Sequence, residues 1–295
     1  MYKRCTYNIN MIKRKFGWTN VDVPIIGQGT WLIENGVDNQ AIKTLQTGLD
    51  LGMIHIDTAE MYGNGKAEEL VGKAIAGRKR EDIFLASKVL PSNASIEGTI
   101  KSCKNSLKRL KTDYLDLYML HWPSSNHPIS QTMKAMEKLA QDNLIKFIGV
   151  SNFNLKELQQ AELALEDERI ACNQVLYHLG YRAIEKRLVP YCTTKKIAVM
   201  GYSPFGHGDF PLPNSTNGKV LARIANTQGR TPRQVALNFL SLHSNIFTIP
   251  KTSHPEKVIE NSKSVDEVWK LTDKDIEEIN RAFPVSDKDD PLEMI

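Results

Sequence analysis

The chain has 295 residues, of which 41% are hydrophobic and 24% charged, a composition typical of a globular protein with a sizeable core. Its formal net charge of +4 argues against a nucleic-acid or membrane-binding surface and favours a small-molecule ligand. The four cysteines are widely spaced and form no C-x-x-C pair, so we expect no disulfide framework, no zinc site and a reducing, cytoplasmic location.

The N-terminal segment is basic and lacks acidic residues. Its charges are Lys3, Arg4, Lys13, Arg14 and Lys15. It contains no apolar run of signal-peptide length, and no stretch of the chain approaches the ~20 apolar residues that a membrane span requires. We therefore predict a solvated tail over residues 1–15 and a single domain over residues 16–295, acting as a monomer.

Short apolar or β-branched runs alternate with segments of helical spacing. The predicted strands are residues 23–26, 54–57, 83–88, 115–121, 145–150, 171–175, 197–202 and 246–250. The predicted helices include residues 39–51, 66–76, 95–110, 129–141 and 155–166. This alternation favours a parallel sheet covered by helices. Eight strands predict an α/β fold of the (β/α)8 TIM-barrel type, with the active site at the C-terminal ends of the strands.

A doubly wound sheet is the alternative fold. Its usual dinucleotide site requires G-x-G-x-x-G after the first strand. The G-x-G runs at residues 27–29, 63–65 and 206–208 all lack the third glycine. No linker or low-complexity segment divides the chain, so one barrel domain is the better prediction.

Ionisable side chains stand at the ends of several predicted strands. Asp57 ends the second strand and Tyr62 follows it, while Lys88 and His121 end the third and fourth. Singly, such an acid can cap a helix, a lysine can extend to solvent and a histidine can belong to the core. In a barrel all four would gather at the mouth that carries the active site. Glu60 is expected to face away from it.

Eight motifs resemble those of the aldo-keto reductases, in the short-loop form of prokaryotic members. They are GQGTW (27–31), HIDTAEMYG (55–63), SKV (87–89), LYMLHWP (117–123), IGVSNF (148–153), NQV (173–175), GYSPF (201–205) and IPKT (249–252). They follow the family's order from Gly27 to about Asn261. The resemblance implies a barrel that binds an extended nicotinamide cofactor without a Rossmann motif.

The resemblance implies a catalytic role for each of the four strand-end residues. Tyr62 would be the general acid, Lys88 and Asp57 the pair behind it, and His121 a contact to the substrate oxygen. Hydride delivery to a carbonyl carbon leaves an oxygen that must be protonated as its charge develops. A tyrosine with a pKa of about 10 holds its proton at neutral pH, and we expect the Lys88 ammonium to lower that pKa.

The resemblance also implies a path for NADPH across the barrel mouth. Its residues would be Thr30, Trp31, Asp57, Ser151, Asn152, Gln174 and Tyr202 near nicotinamide, and Ser203 and Phe205 near pyrophosphate. At the adenosine end, Lys251 and Thr252 would lie near a ribose 2′-phosphate, Glu260 and Asn261 near adenine, and Lys257 beside them. Gln174 lies in an apolar strand and needs a polar partner, for which we expect a bound amide rather than backbone. Many NADPH-preferring members carry arginine at position 257. Lysine offers a point charge instead of a planar fork, which weakens the expected preference for NADPH and leaves NADH use open.

The predicted function is NADPH-dependent reduction of aldehydes or ketones to alcohols. Trp31 and Trp122 would wall the substrate pocket beside Tyr62 and His121, and the short C-terminal tail suggests an open site. The alternative is a cofactor-sensing regulatory protein on the same barrel. A metal-dependent hydrolase would rest on His55, His121 and His127, whose spacing fits no ligand motif, and no metal is expected.

Overall fold

The strands form a small hairpin and one large sheet. Strands β1 (Lys13–Lys15) and β2 (Asp22–Pro24) pair in antiparallel fashion. The large sheet contains β3 (Gln28–Gly29), β4 (His55–Asp57), β5 (Phe84–Val89), β6 (Leu115–Leu120), β7 (Ile145–Ser151), β8 (Ile170–Leu176), β9 (Ala198–Tyr202) and β10 (Ile246–Ile249). The structure, a computed structural model, describes residues 11–286 and 292–295.

The large sheet is parallel and closes on itself. Each strand from β3 to β10 pairs with the next one along the chain. The two edges meet through bridges from Ile26 to Thr248 and from Gly29 to Lys251. The Gly27 amide also donates to the Thr248 carbonyl across this seam, at 2.8 Å. The predicted (β/α)8 barrel is therefore confirmed.

Helices connect the barrel strands and cover their outer faces. They are α1 (Asp38–Asp50), α2 (Lys66–Ile75), α3 (Ile96–Leu110), α4 (Ile129–Gln141), α5 (Leu155–Leu163), α6 (Leu188–Lys195), α7 (Thr216–Gln228), α8 (Pro232–Leu240), α9 (Pro255–Ser262) and α10 (Asp273–Ala282). Several begin at sequence-encoded caps: the Thr231 side chain accepts from the Gln234 amide and starts α8. In the described residues no helix is long and apolar enough to cross a membrane.

Alternate residues of each strand pack into different parts of the core. Leu117 and Met119 of β6 point into the barrel, whereas Tyr118 and Leu120 pack outward under the helices. This period of two is the normal geometry of a strand. Phe16, from the turn of the β1–β2 hairpin, fills the N-terminal end of the barrel. Apolar packing thus occupies that end and leaves polar groups to the C-terminal mouth.

Two predictions near the N-terminus were wrong in part. In the run 23–26, Val23 and Pro24 lie in β2 and not in the barrel. Ile25 and Ile26 pair with the last barrel strand: the Ile25 carbonyl accepts from the Thr248 amide at 2.9 Å, and Ile26 bridges to Thr248. Val23 is fully buried under the barrel. A short buried apolar run in the sequence does not show whether it lies in a barrel strand or in a hairpin that covers the end of the barrel. Lys13–Lys15 form β1 and are not a free tail. The tail prediction for residues 1–10 lies outside the described residues.

Candidate active site

Asp57, Tyr62 and Lys88 meet at the mouth of the barrel. Asp57 pairs in register with Ala86 of the neighbouring strand, so Lys88, two residues further along β5, projects from the same face beyond the end of β4. Lys88 Nζ lies 2.7 Å from Asp57 Oδ2, 2.9 Å from Asp57 Oδ1 and 3.3 Å from the Tyr62 hydroxyl. It also donates to the Thr58 carbonyl at 2.9 Å. The ammonium therefore connects the acid to the phenol.

A tight turn places the Tyr62 ring over this pair. Gly63 has φ 54°, Asn64 φ 52° and Gly65 φ 90°, a left-handed conformation that favours glycine. A Cβ atom on Gly63 would lie 2.5 Å from Glu34 Cγ. The chain thus needs glycine at this position to bring the phenol back over the mouth.

The direction of the pKa shift of Tyr62 differs from the expectation. Burial raises the pKa of Tyr62 well above its usual value, and the negative charges of Asp57 and Glu34 raise it further. Burial also lowers the pKa of Lys88, against the opposing effect of Asp57. The Lys88 ammonium serves both Asp57 oxygens and does not overcome the desolvation of the phenol. Tyr62 therefore holds its proton throughout the neutral range, as a proton donor must.

His121 is neutral at the same mouth. Burial lowers its pKa to about 2, and the charge of Lys88 acts in the same direction. Its ring stands edge-on to Tyr62 with the ring centroids 5.7 Å apart, and its Nδ1 makes no hydrogen bond within the described residues. A neutral imidazole donates one hydrogen bond and accepts another. His121 can therefore bind an oxygen beside the Tyr62 hydroxyl.

His55 lies at the other end of β4 and takes no part in this site. Its ring is packed among Phe16, Phe84 and Phe247. Burial lowers its pKa to about 3. Glu60 accepts hydrogen bonds from the Leu90 amide and the Asn93 side chain. It holds the neighbouring loop, in agreement with the expectation that it faces away.

Two amide side chains lie beside the four residues Asp57, Tyr62, Lys88 and His121, called the tetrad below. Gln174 Nε2 donates to Asp57 Oδ1 at 2.7 Å and approaches Met200 Sδ at 2.8 Å. Its partner is therefore a carboxylate, not the backbone, and its amide oxygen accepts no hydrogen bond from the described residues. Asn152 Nδ2 donates to the His121 carbonyl at 3.0 Å, and Asn152 Oδ1 accepts from the Tyr202 hydroxyl at 2.9 Å. These contacts fix both amide planes at the mouth.

A cavity of about 180 Å³ lies over the tetrad. The predicted residues that line it are Thr30, Trp31, Asp57, Tyr62, His121, Trp122, Ser151, Asn152, Gln174, Tyr202, Ser203 and Lys251. Lys88 is fully buried beneath it. The sequence missed Gly29, Met61, Ile249, Met294 and Ile295 in the lining. Met294 and Ile295 show that the short C-terminal tail contributes to the wall of this cavity.

A second cavity, of about 630 Å³, holds the other predicted residues. It is lined by Phe205, Thr252, Lys257, Glu260 and Asn261, together with Lys251. Lys251 lines both cavities, so they meet at its side chain. The first cavity carries amides and hydroxyls, and the second carries cations. This donor set fits an extended dinucleotide, with its carboxamide in the first cavity and its phosphates at the second.

Two further residues had no sequence motif to reveal them: one lines the second cavity, and the other packs on a residue that lines the first. Arg233, in the first turn of α8, lines the second cavity. His207, in the loop after β9, stacks on Trp31 with the ring centroids 4.8 Å apart and 27° between the rings. In the sequence, Arg233 looks like any charged residue near the start of a helix. Only the fold shows that the first turn of α8 faces a cavity.

Comparison with known proteins gives a consistent result. The family model described as "Aldo/keto reductase family" matches residues 25–283. The chain is 39% identical over 280 residues to methylglyoxal reductase YeaE of Escherichia coli, covering 94% of this chain and 96% of that protein. It is 35% identical to glyoxal reductase of Bacillus subtilis over 264 residues, covering 88% and 89% of the two chains.

Solved structures share the architecture. An aldo/keto reductase from Klebsiella pneumoniae, crystallised in complex with NADP and acetate, superposes with a TM-score of 0.89 at 37% identity, covering 97% of this chain and 100% of that one. A thermostable aldo-keto reductase, Tm1743, in complex with the inhibitor epalrestat gives a TM-score of 0.86 at 35% identity, over 92% of this chain and 100% of that one.

Proposed function

Because the chain belongs to the aldo/keto reductase family, whose activity is NADPH-dependent reduction of aldehydes or ketones to alcohols, we propose that Tyr62 is its proton donor. The observation that carries this assignment is the contact of the Tyr62 hydroxyl with the buried Lys88 ammonium, at 3.3 Å. The regulatory alternative has no support, since the named relatives are reductases.

The proton transfer follows from the contacts of Tyr62. Bound NADPH supplies the hydride that reduces the carbonyl carbon. Tyr62 gives its hydroxyl proton to the carbonyl oxygen, which becomes the alcohol. The phenolate that Tyr62 then carries lies beside the Lys88 ammonium, whose charge stabilises it. Asp57 keeps Lys88 protonated and oriented, so Asp57 acts through its neighbour and not on the substrate.

We propose that His121 binds the same carbonyl oxygen. Its neutral ring faces the Tyr62 ring edge-on, so one N–H can reach an oxygen that also accepts from Tyr62. A hydrogen-bond donor placed where negative charge develops lowers the activation free energy of the reduction without taking part in the proton transfer. Because its pKa is about 2, this donor does not change its charge in the neutral range.

We infer that the cofactor lies along the two joined cavities. Among the described residues none donates a hydrogen bond to the Gln174 amide oxygen, and Ser151, Asn152, Thr30 and Tyr202 line the same cavity, which supports a nicotinamide carboxamide at this end. The assigned pyrophosphate and adenosine contacts are Ser203, Phe205, Lys251, Thr252, Lys257, Glu260 and Asn261. The cationic residues of this set suit phosphate oxygens.

We propose small aldehydes of the α-oxoaldehyde type as substrates. Drug-sized ligands occupy cavities of roughly 300–1,000 Å³, whereas the cavity over the tetrad is about 180 Å³ and also has to hold the nicotinamide ring. Trp31, Trp122 and Met294 limit the remaining space. The relatives named for methylglyoxal and glyoxal reduction agree with a substrate of this size.

We also propose a cytoplasmic monomer built from one barrel domain over residues 16–295. Cys103, Cys172 and Cys192 are buried free thiols, which suits a reducing compartment. Exposed large apolar side chains such as Leu163, in α5, and Leu212, in the loop before α7, are far apart in the chain, and singly scattered apolar side chains are normal on a monomer. Size-exclusion chromatography with light scattering measures the oligomeric state directly.

The function is tested by following NADPH absorbance with a panel of carbonyl compounds. We expect turnover with methylglyoxal and glyoxal, and a lower kcat/KM for bulky aromatic ketones. Turnover of bulky ketones in preference to the small aldehydes would refute the substrate class. Binding of NADPH without turnover of any aldehyde or ketone would refute the proposed enzyme.

A further inference from the structure

The cationic residues of the second cavity are not equally available to an anion. Lys257 Nζ donates to Glu260 Oε2 at 2.8 Å, and Glu260 Oε1 accepts from the Thr231 hydroxyl at 2.6 Å. The charge of Lys257 is therefore offset by a carboxylate that is itself held in place. A phosphate at Lys257 would have to share this lysine with Glu260.

Arg233 lines the same cavity, and the N–H groups of its guanidinium have no partner among the described residues. It lies in the first turn of α8, one residue after Pro232. Within residues 11–286 and 292–295, its guanidinium makes no hydrogen bond and no ion pair. Its charge reaches Glu260, since it helps to lower the pKa of that carboxyl group. Arg233 therefore supplies positive charge next to the Lys257–Glu260 pair without being neutralised by it.

The guanidinium of Arg233 makes cation–π contacts with two aromatic rings. Its Cζ atom lies 4.9 Å from the ring centre of Phe210 and 5.5 Å from that of Phe205. The two rings stand edge to face, 5.7 Å apart. A guanidinium that lies over aromatic rings commits none of its N–H groups to a carboxylate or a carbonyl, so they stay available to an anion. Two N–H groups on one edge match two oxygens of one phosphate.

Arg233 lies at the end of the groove that is assigned to adenosine. The two cavities join at Lys251. Arg233 lines only the second cavity, beside Glu260 and Lys257. A phosphate at this end of the cofactor is the one on the ribose 2′ oxygen, which NADPH has and NADH lacks.

We propose that Arg233 binds the 2′-phosphate of NADPH and sets the preference of this chain for NADPH over NADH, a role in which Lys257 is weakened by its pairing with Glu260. The inference rests on the proposed function and adds a specificity-determining residue to its cofactor site. It predicts an effect confined to the cofactor that carries the extra phosphate.

The test is isothermal titration calorimetry of the full chain with NADP⁺ and, separately, with NAD⁺. In the Arg233→Ala variant we expect the Kd for NADP⁺ to rise by about tenfold or more, as for loss of a hydrogen-bonded charge. The Kd for NAD⁺ should stay within about twofold, which also shows that the variant is folded. Arg281→Ala, which removes an exposed arginine of α10, should change neither value.

A second variant distinguishes the planar geometry of the Arg233 guanidinium from its positive charge alone. Arg233→Lys keeps a cation but loses the planar edge, so we expect an NADP⁺ affinity between those of the parent and Arg233→Ala. An unchanged Kd for NADP⁺ in Arg233→Ala would overturn the proposal. An equal rise for NADP⁺ and NAD⁺ would overturn it too, because it would place Arg233 at a group that both share. Failure of the parent chain to bind either nucleotide would instead refute the proposed function itself.

Discussion

Lys88 Nζ and Asp57 Oδ2 lie 2.7 Å apart with both side chains removed from solvent. A buried charge of either sign is tolerated only when it is paired and hydrogen-bonded. Here the acid accepts from Lys88 and from Gln174, while the ammonium also donates to a backbone carbonyl. The pair is therefore both a structural element of the barrel mouth and the support of the Tyr62 hydroxyl.

Replacing Asp57 by Asn is expected to cost both stability and rate. The change keeps the side-chain shape but leaves the Lys88 ammonium without its counter-charge, and breaking a buried pair in this way costs about 3–5 kcal/mol. Urea unfolding at pH 7 measures the loss. Asp22→Asn is the matched control, because the Lys15–Asp22 pair is exposed and should contribute no more than about 1 kcal/mol. Equal effects of the two variants would contradict this account of the buried pair.

Replacing Tyr62 by Phe is expected to remove the proton donor and little else. Loss of general acid catalysis lowers kcat by roughly 10²–10⁴-fold, while the Kd for NADP⁺ stays within about twofold. Steady-state kinetics with methylglyoxal and calorimetry of nucleotide binding measure the two quantities. Tyr191→Phe is the control, because its hydroxyl bonds Glu162 away from the mouth. Full turnover by Tyr62→Phe would exclude the assigned role.

Stability should fall as the pH decreases below about 6.5, because the fold holds His55 neutral. Burial lowers the pKa of His55 from 6.5 to about 3, so below pH 6.5 the unfolded chain binds a proton that the folded chain does not, and the free energy of unfolding decreases. Between pH 7 and pH 5 this amounts to about 2 kcal/mol.

Urea unfolding of the His55→Phe variant at these two pH values checks the sign and the size of the effect. The variant places an apolar ring among Phe16, Phe84 and Phe247 and removes the titrating group. Its loss of stability between pH 7 and pH 5 should be smaller than that of the parent by about 2 kcal/mol. His121 contributes in the same direction and is unchanged in this comparison. A larger loss in the variant would contradict the assignment.

Replacing Gly63 by Ala should disturb the turn that carries Tyr62. The residue has a φ of 54° and its new Cβ would lie 2.5 Å from the Glu34 side chain. The backbone conformation alone costs about 1–2 kcal/mol, and relief of the clash should shift the phenol and lower kcat. Gly77→Ala is matched in φ, at 77°, with no atom within 4 Å. It should lose similar stability and keep its kcat, so a fall in kcat for both would argue against a local effect on Tyr62.

The parts of the site that the sequence could predict are those fixed by strand order. Asp57, Lys88 and His121 follow short apolar runs, and a parallel barrel brings the ends of such runs together. Met294 was not predictable, because it reaches the mouth from a distant segment without any periodic pattern. The pKa direction of Tyr62 was also missed: the sequence shows that a lysine is near but not that burial outweighs it.

The chemical and the selective parts of the mouth belong to different kinds of structure. Asp57 and Lys88 lie on strands and are locked in the sheet, whereas Trp31 and Trp122 lie on connecting segments and Met294 lies in the C-terminal segment. Substitutions, insertions or deletions in those segments can thus alter which carbonyl compound enters while the Asp57–Lys88 pair keeps its geometry. For an engineer, or for natural selection, substrate range is the property of this barrel that can change first.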